Sequence, residues 1–262
     1  MNFMNGGEKI DGRTIIDVLG DVPKKYLNSI AICNGKLIYT GEDDVELKYF
    51  KDVGIATDEQ LPIGYTRLEY IQGSGASNTV SDQYIDTKYV ATSNSCVEID
   101  YEYSQQTNAY KVAIGAYGNS VSNSSFSIGV NNADNGSFAT YKYGSGNVIT
   151  DFVVNSNSRI VAKLSKEGFY IDDKLINNVS EKNFDTNQSF YILAVNNNGT
   201  LLKEAAGNIK IYNCKIYENN VLVRNMVPCY RNCDNIVGMY DTVNNVFYTN
   251  QGTGEFIKGM EF

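Results

Sequence analysis

Three carboxylates alternate along one short segment and are the residues best placed to do chemistry. Glu98, Asp100 and Glu102 are separated by Ile99 and Tyr101, which is the period-2 alternation of a β-strand. On such a strand the carboxylates share one face and the apolar residues share the other. Two carboxyl groups held about 5–5.5 Å apart can cleave a glycosidic bond with retention, one as nucleophile and the other as acid/base.

The same five residues resemble the E-x-D-x-E strand motif of laminarinase-type glycoside hydrolases, which share a concanavalin-A-like jelly roll. That resemblance would make Glu98 the nucleophile, Asp100 the residue that orients it and Glu102 the acid/base. The opposing interpretation is an alternating strand whose polar side faces solvent, because motifs this short recur by chance. The chain has no tryptophan, the side chain against which such enzymes bind sugar rings. We therefore expect no enzymatic activity and no catalytic residues, and we expect Glu98→Gln and Glu102→Gln to leave the fold unchanged.

Metal ligands and classical nucleophile arrangements are scarce. The chain has no histidine, so a Ser-His-Asp arrangement is excluded. Cys229-x-x-x-Cys233 with Cys214 offers three thiolates, whereas a closed zinc site takes four ligands. Loop 131–136 (NNADNG) and Asp172-Asp173 could supply oxygen ligands to calcium, but NNADNG lacks the EF-hand spacing and reads better as a turn. We expect neither a metal nor a cofactor, and the odd count of five cysteines favours free thiols.

Tyrosine is abundant, with 20 residues in the chain, and this abundance suggests sugar binding. Tyrosine rings stack on sugar rings while the hydroxyl hydrogen-bonds, although most tyrosines of an all-β protein fill half-buried strand positions. Tyr110, Tyr117, Tyr141 and Tyr143 lie in the Gly/Asn/Ser-rich middle of the chain. We expect some of them to be exposed, and a glycan site on this region is a hypothesis based on the usual placement of function on loops.

The elements that must position these residues are short strands joined by tight turns. β-Branched and aromatic residues alternate between Asn, Gly and Asp punctuation, which is typical of antiparallel strands. The expected cross-strand pairs are Ile32–Leu37 and Ile30–Tyr39 around Asn34-Gly35, Tyr170–Leu175 around Asp172-Asp173, Tyr217–Leu222 around Asn219-Asn220, and Val243–Val246 around Asn244-Asn245. The best helical candidate is a short turn from Thr14 to Leu19. This pattern predicts an all-β antiparallel jelly-roll sandwich.

A boundary is expected near residue 60, where the acidic TDEQ precedes LPIGY and Pro62 and Gly64 interrupt the chain. Residues 1–60 contain one clear hairpin and the strand-like run VELKYF, and such a short segment buries little surface alone. We therefore expect a small β-rich docking or anchoring segment in residues 1–60 and a jelly-roll domain in residues 61–262.

Both ends of the second region resemble a known family. LPIGYTRLEYIQGSG followed by QYIDTKY is similar to the opening of laminin-G-like jelly rolls that are common in phages and prophages of gut bacteria. NIKIYNCKIYENNVLVRNMVPCYRNCDNIVGMYDTVNNVFYTNQGTGEF is similar to the last strands of the same family. The resemblance covers roughly residues 61–262 and implies a concanavalin-A-like or laminin-G-like fold in a fibre, tail or appendage module, with no activity and no ligand residues. A jelly roll whose first and last strands pair would also bring its two ends together.

The composition of the chain limits the classes of partner that we expect it to bind. The net charge of -8 argues against nucleic acid as the main partner. No apolar stretch approaches the ~20 residues that cross a bilayer, and the first residues lack the basic and apolar regions of a signal peptide, so we expect neither membrane insertion nor export. The resulting hypothesis is a non-enzymatic bacteriophage virion protein, a head or tail fibre subunit located in the virion. Its expected partners are other virion proteins bound through residues 1–60, further copies of itself with a trimer favoured, and host surface glycans. The alternative is a bacterial glycan-binding or laminarinase-type glycan-cleaving module.

Overall fold

A computed structural model describes residues 27–33, 36–41, 61–74, 82–103, 110–120, 122–133, 136–180, 182–202 and 209–262. The chain divides into two compact units, Met1–Tyr65 and Thr66–Phe262. The helical turn predicted from Thr14 to Leu19, the strand-like run VELKYF and most of the predicted anchoring segment lie outside the described residues.

The first unit contains one β-hairpin among its described residues. Its strands are β1 (Leu27–Cys33) and β2 (Lys36–Gly41). Ile32 pairs with Leu37, and Ile30 pairs with Tyr39, in antiparallel register. The register predicted around Asn34-Gly35 is therefore confirmed.

The described part of the second unit is built from two β-sheets. The eight-stranded sheet contains β5 (Ile85–Thr92), β7 (Lys111–Tyr117), β8 (Ser125–Ala133), β9 (Gly136–Tyr143), β10 (Val148–Val153), β14 (Asp185–Ile192), β15 (Val195–Asn197) and β16 (Thr200–Leu202). Its main order is β10-β9-β8-β7-β14-β5, and β15 pairs with both β16 and β7. All of these pairs are antiparallel except β15 with β7.

The second sheet has eleven strands among the described residues. They are β3 (Tyr65–Arg67), β4 (Ile71–Gln72), β6 (Ser95–Tyr103), β11 (Ser158–Ser165), β12 (Gly168–Ile171), β13 (Lys174–Asn177), β17 (Ile209–Glu218), β18 (Val221–Arg231), β19 (Val237–Asp241), β20 (Val246–Thr249) and β21 (Ile257–Lys258). The main order is β13-β12-β11-β6-β17-β18-β19-β20.

The core lies between the two sheets and follows from strand alternation. On β6 the inward residues Val97, Ile99, Tyr101 and Tyr103 are fully buried, while the outward positions between them carry the carboxylates. Burying a large apolar side chain stabilises the fold by about 1.5–3 kcal/mol. The buried cluster is rich in aromatic residues from both sheets, among them Phe126, Phe169 and Phe190.

Two of the predicted tight turns have the expected geometry. The φ angles are 48° and 62° at Asp172 and Asp173, and 48° and 65° at Asn219 and Asn220. Positive φ at both central residues defines a type I′ turn, whose twist matches that of the flanking strands. The pairs of Tyr170 with Leu175 and of Tyr217 with Leu222 are confirmed.

The pairing predicted for Val243 with Val246 is wrong. Asp241 is the residue opposite Val246, so the turn contains four residues rather than two. The buried Asp241 carboxylate accepts a hydrogen bond from the Val243 amide at 3.1 Å and from the Asn244 side chain at 2.7 Å. These local bonds favour a longer turn, which the Asn244-Asn245 dipeptide alone does not indicate.

The last strand of the second unit pairs with β4, near the start of the unit, whereas β3 pairs with β18. Gln72 on β4 is opposite Ile257 on β21, and Leu68 forms a bridge with Glu261. The described part of the second unit is thus an all-β jelly-roll sandwich of two sheets, in agreement with the predicted fold class. Among the described residues, no helix is long and apolar enough to cross a lipid bilayer.

Candidate functional site

β6 carries the three predicted carboxylates on its outward face, and a cation from a neighbouring strand pairs with each one. The pairs are Glu98 with Lys215 at 3.3 Å, Asp100 with Arg159 at 2.6 Å and Glu102 with Lys210 at 2.8 Å. The predicted sharing of one strand face by Glu98, Asp100 and Glu102 is therefore confirmed. We refer to these three carboxylates and their three cations as the ion-paired face.

Glu102 departs from the prediction of a solvent-facing side chain, because the residue is only 9% exposed. Its carboxylate accepts hydrogen bonds from Lys210 Nζ and from the Tyr212 hydroxyl, each at 2.8 Å. Burial raises the pKa of Glu102, but the hydrogen bonds from Lys210 and Tyr212, with the Lys210 and Arg159 charges, bring the pKa below its ordinary value. A general acid needs a raised pKa. This environment instead suits a permanently ionised structural carboxylate.

The outward face of the eight-stranded sheet has a different character. A transverse row crosses it on neighbouring strands, and its members in order are Asp86, Tyr191, Gly115, Ser127 and Lys142. Neighbouring strands lie about 4.8 Å apart, so the row spans roughly 19 Å. We call this surface, with Tyr84, Tyr110 and Tyr117 beside the row, the tyrosine face.

Tyr84 and Tyr191 form an aromatic pair at one end of the tyrosine face. Both are half-buried, and their ring centroids are 4.5 Å apart with planes tilted by 31°. Next to them the Asp86 carboxylate accepts a hydrogen bond from Ser189 Oγ at 2.6 Å. Burial, followed by the negative charge of Asp86, raises the pKa of Tyr191 to about 12, so its hydroxyl stays neutral. Half-exposed rings beside fixed polar groups can hold the apolar face and the hydroxyls of a sugar.

The other end of the tyrosine face is more closed. Tyr117 is 1% exposed, and Lys142 Nζ lies 4.0 Å from the centroid of its ring, a cation–π arrangement. The hydroxyls of Tyr110 and Tyr117 lie 3.2 and 3.4 Å from Ser127 Oγ. Tyr110 is half-buried and is the ring at this end that a ligand can reach.

The tyrosines singled out in the sequence are mostly not surface rings. Tyr141 and Tyr143 lie in the core between the sheets, and Tyr117 is buried on the tyrosine face, so Tyr110 alone of these four is partly exposed. The pair that sequence reasoning missed is Tyr84 with Tyr191. Each precedes a fully buried isoleucine, and this alternation is the signal that places their rings outward.

The cysteines do not form a metal centre in the described structure. Cys96, Cys214 and Cys229 are buried free thiols, and Cys233 is an exposed free thiol. Burial raises the pKa of Cys214 and of Cys229, which keeps them as unreactive thiols. Among the described residues no group of three or more Cys, Asp or Glu side chains is placed to hold a metal ion. Cys33 has no described side chain.

The loops considered for calcium serve as turns where the structure describes them. Asp172 accepts a hydrogen bond from the Val161 amide at 2.9 Å and so fixes the hairpin against its neighbouring strand. In NNADNG, Ala133 pairs with Gly136, and Asp134 and Asn135 between them lie outside the described residues.

Comparisons with known proteins place the chain among distant structural neighbours. No protein-family model matches it, and no curated protein sequence matches it. Among solved structures, a proposed carbohydrate-binding protein from Bacteroides ovatus ATCC 8483 is similar at a TM-score of 0.49 and 13% identity. That alignment covers 74% of this chain and 60% of the Bacteroides protein, which is less than two thirds of its length.

A heptameric SAP-like pentraxin from Limulus polyphemus is a second structural neighbour. Its TM-score is 0.47 and its identity 9%, over 74% of this chain and 95% of the pentraxin. At these identities neither neighbour assigns a ligand or an activity to this chain, and the candidate site stands on its own geometry.

Proposed function

We propose that the jelly roll is a non-enzymatic glycan-binding module whose binding surface is the tyrosine face. The observation that carries the proposal is the partly exposed Tyr84–Tyr191 pair, with ring centroids 4.5 Å apart, beside the Asp86–Ser189 hydrogen bond. Aromatic rings bind the C–H faces of sugars, and fixed polar groups orient their hydroxyls. Gly115 and Ser127 are buried in the middle of the row, so the end that carries Tyr84 and Tyr191 is the part of the face that a sugar can reach.

The non-enzymatic part of the proposal is supported by the ion-paired face. Retaining hydrolysis needs one free nucleophilic carboxylate and one carboxyl group that is protonated at working pH. The candidate nucleophile Glu98 is instead paired with Lys215 at 3.3 Å, and the pKa of the candidate acid Glu102 lies below its ordinary value. Asp100, which would orient the nucleophile, is held by both guanidinium contacts of Arg159, at 2.8 and 2.6 Å.

The setting that we propose is the bacteriophage virion. Its support is the resemblance of LPIGYTRLEYIQGSG and of the last strands to phage-type laminin-G-like modules. In this proposal residues 1–60 attach the subunit to head or tail proteins, subunits associate as trimers, and residues 61–262 are displayed toward host surface glycans. Electron microscopy of virions labelled with an antibody against residues 61–262 tests this setting. Labelling at a fibre or appendage is expected, and unlabelled particles with the protein found in host cells would favour the bacterial alternative.

Glycan binding is tested by retention of the full chain on immobilised surface polysaccharides of candidate host bacteria, with Tyr191→Ala as the test variant. Removing a stacking ring is expected to weaken binding about tenfold, since aromatic contacts contribute roughly 0.5–1.5 kcal/mol beyond area burial. The matched control is Tyr70→Ala, which removes a half-buried ring from the other sheet, where Tyr70 packs edge-on against Tyr212 at 5.6 Å. Equal retention of wild type and Tyr191→Ala would place the binding surface elsewhere.

A further inference from the structure

Three turns meet at one end of the sandwich, two within the eleven-stranded sheet and one that joins the two sheets, and they line a cleft of about 240 Å³. We propose that this cleft is a second binding site, distinct from the tyrosine face, and that it takes one uncharged sugar residue. The inference is independent of glycan binding by the tyrosine face.

The cleft exists because the middle strand of three leaves the sheet early. β6 pairs with β11 as far as Val97 opposite Leu164, and with β17 as far as Ser95 opposite Glu218. Before Ser95 the chain turns at Asn94 and crosses to β5 in the other sheet. The β11–β12 and β17–β18 turns continue past this point on either side. A notch two interstrand spacings wide, roughly 9–10 Å, remains between them.

The backbone of the cleft is held firmly. The Asn219 amide donates a hydrogen bond to the Asn94 carbonyl oxygen at 3.3 Å, which ties one wall to the turn at the back. On the other wall the Glu167 amide donates to Ser165 Oγ at 3.2 Å. Ser165 is only 4% exposed, so the Glu167 amide is fixed by a hydrogen bond to a buried side chain. A site whose walls are already fixed loses little conformational entropy on binding.

The lining decides the class of ligand. Asn94 lines the back of the cleft, Asn219 and Asn220 line one wall, and Lys166 and Glu167 line the other. Amides donate and accept hydrogen bonds, as sugar hydroxyls do. Because Lys166 and Glu167 carry opposite charges, the lining has no net charge and favours a neutral ligand over an ionic one. The width of the notch limits the occupant to about one ring.

Cys96 supplies a natural reporter inside the cleft. It lines the cleft with 7% of its surface exposed, and burial raises the pKa of its thiol to about 11. Its alkylation is therefore slow, and an occupant would slow it further. Cys233 is exposed on a different loop and serves as the internal control thiol.

The primary experiment is a ¹H–¹⁵N titration of the full chain with the methyl glycosides of glucose, galactose, mannose and N-acetylglucosamine. At least one glycoside is expected to shift the amides of Asn94, Glu167 and Asn220 together, with a dissociation constant on the order of 1 mM for so small a ligand. The same sugar at twice its dissociation constant should slow Cys96 alkylation about threefold and leave Cys233 unchanged, because one third of the sites remain free.

The test variant is Asn94→Ala, which removes the amide group at the back of the cleft but keeps the backbone bond to Asn219. It is expected to abolish the amide shifts, whereas Asn147→Ala, on an exposed loop outside the cleft lining, should leave them intact. Tyr191→Ala should also leave them intact, which separates this site from the tyrosine face. The proposal is overturned if no glycoside shifts the three turns, if Asn94→Ala binds as well as wild type, or if glucuronate or glucosamine binds tenfold more tightly than every neutral glycoside.

Discussion

The two outward faces of the sandwich arise from the same strand alternation, but their side chains differ in whether they are bound by other groups of the protein. On the ion-paired face each outward carboxylate of β6 contacts a cation at 2.6–3.3 Å. These carboxylates therefore interact mainly with groups of the protein itself. On the tyrosine face the pair Tyr84 and Tyr191 stays half-buried beside a glycine and a serine. A row of acidic residues can thus be engaged in ion pairs within the protein, while a less conspicuous pair of rings stays partly exposed.

Because the structure buries Glu102, Glu102→Gln is expected to have the largest effect on stability, in place of the unchanged fold expected from the sequence. Gln keeps the shape but loses the charge that Lys210 and the Tyr212 hydroxyl contact, and hydrogen bonds to charged groups contribute about 1.5–3 kcal/mol. We expect the free energy of unfolding to fall by about 2 kcal/mol in urea denaturation, with sugar binding unchanged. A variant as stable as wild type would restore the solvent-facing interpretation of this strand.

On the tyrosine face, Tyr191→Ala is expected to have a smaller effect on folding than on binding. The lost ring contact with Tyr84 should reduce the free energy of unfolding by about 1 kcal/mol. Tyr191→Phe keeps the ring and is the matched control, so it should retain most of the affinity. If both variants lose binding equally, the hydroxyl rather than the ring carries the interaction.

At acidic pH the free energy of unfolding of wild type should approach that of Glu102→Gln. The pKa of Glu102 in the folded protein lies below its ordinary value of 4.5, so its contribution is fully present above that value. It is lost as the pH falls through the folded-state pKa. Urea denaturation from neutral pH to below pH 4.5 should show the two proteins converging, and a constant difference would contradict the assignment.

A substitution on the inward side of β6 is expected to raise the stability of the fold rather than lower it. The Tyr101 hydroxyl is fully buried and makes no hydrogen bond with a described residue, and an unsatisfied buried polar group destabilises a fold by about 1–3 kcal/mol. We expect Tyr101→Phe to be neutral or to stabilise by about 1 kcal/mol, measured by thermal and urea unfolding. A clear loss of stability would mean that the hydroxyl has a partner such as a buried water molecule.

The smallest effect is expected for Glu98→Gln. The Glu98 and Lys215 side chains are 26% and 33% exposed at 3.3 Å, and solvent-exposed ion pairs contribute roughly 0–1 kcal/mol. The change in unfolding free energy should stay below about 1 kcal/mol. A loss as large as that of Glu102→Gln would show that the whole ion-paired face acts as one network.

Much of the fold could be predicted from local patterns, because these depend on neighbouring residues alone. Positive φ at Asp172-Asp173 and Asn219-Asn220 follows from the tolerance of Asn and Asp for that conformation, and each two-residue turn sets its own register. The same reasoning gave the wrong register at Asn244-Asn245. There Asp241, which lies outside the dipeptide, accepts hydrogen bonds from the Val243 amide and the Asn244 side chain and so favours a longer turn.

The sequence by itself determined the all-β class, three hairpin registers and the outward face shared by Glu98, Asp100 and Glu102. Only the tertiary structure decided what those outward residues meet, because the partners come from far along the chain: Lys210 and Tyr212 are more than a hundred residues from Glu102. The same holds for the Tyr84–Tyr191 pair and for the cleft above Cys96, where strands distant in sequence become neighbours. Alternation tells which side of a strand a residue faces, and the order of strands in the sheet tells what stands beside it.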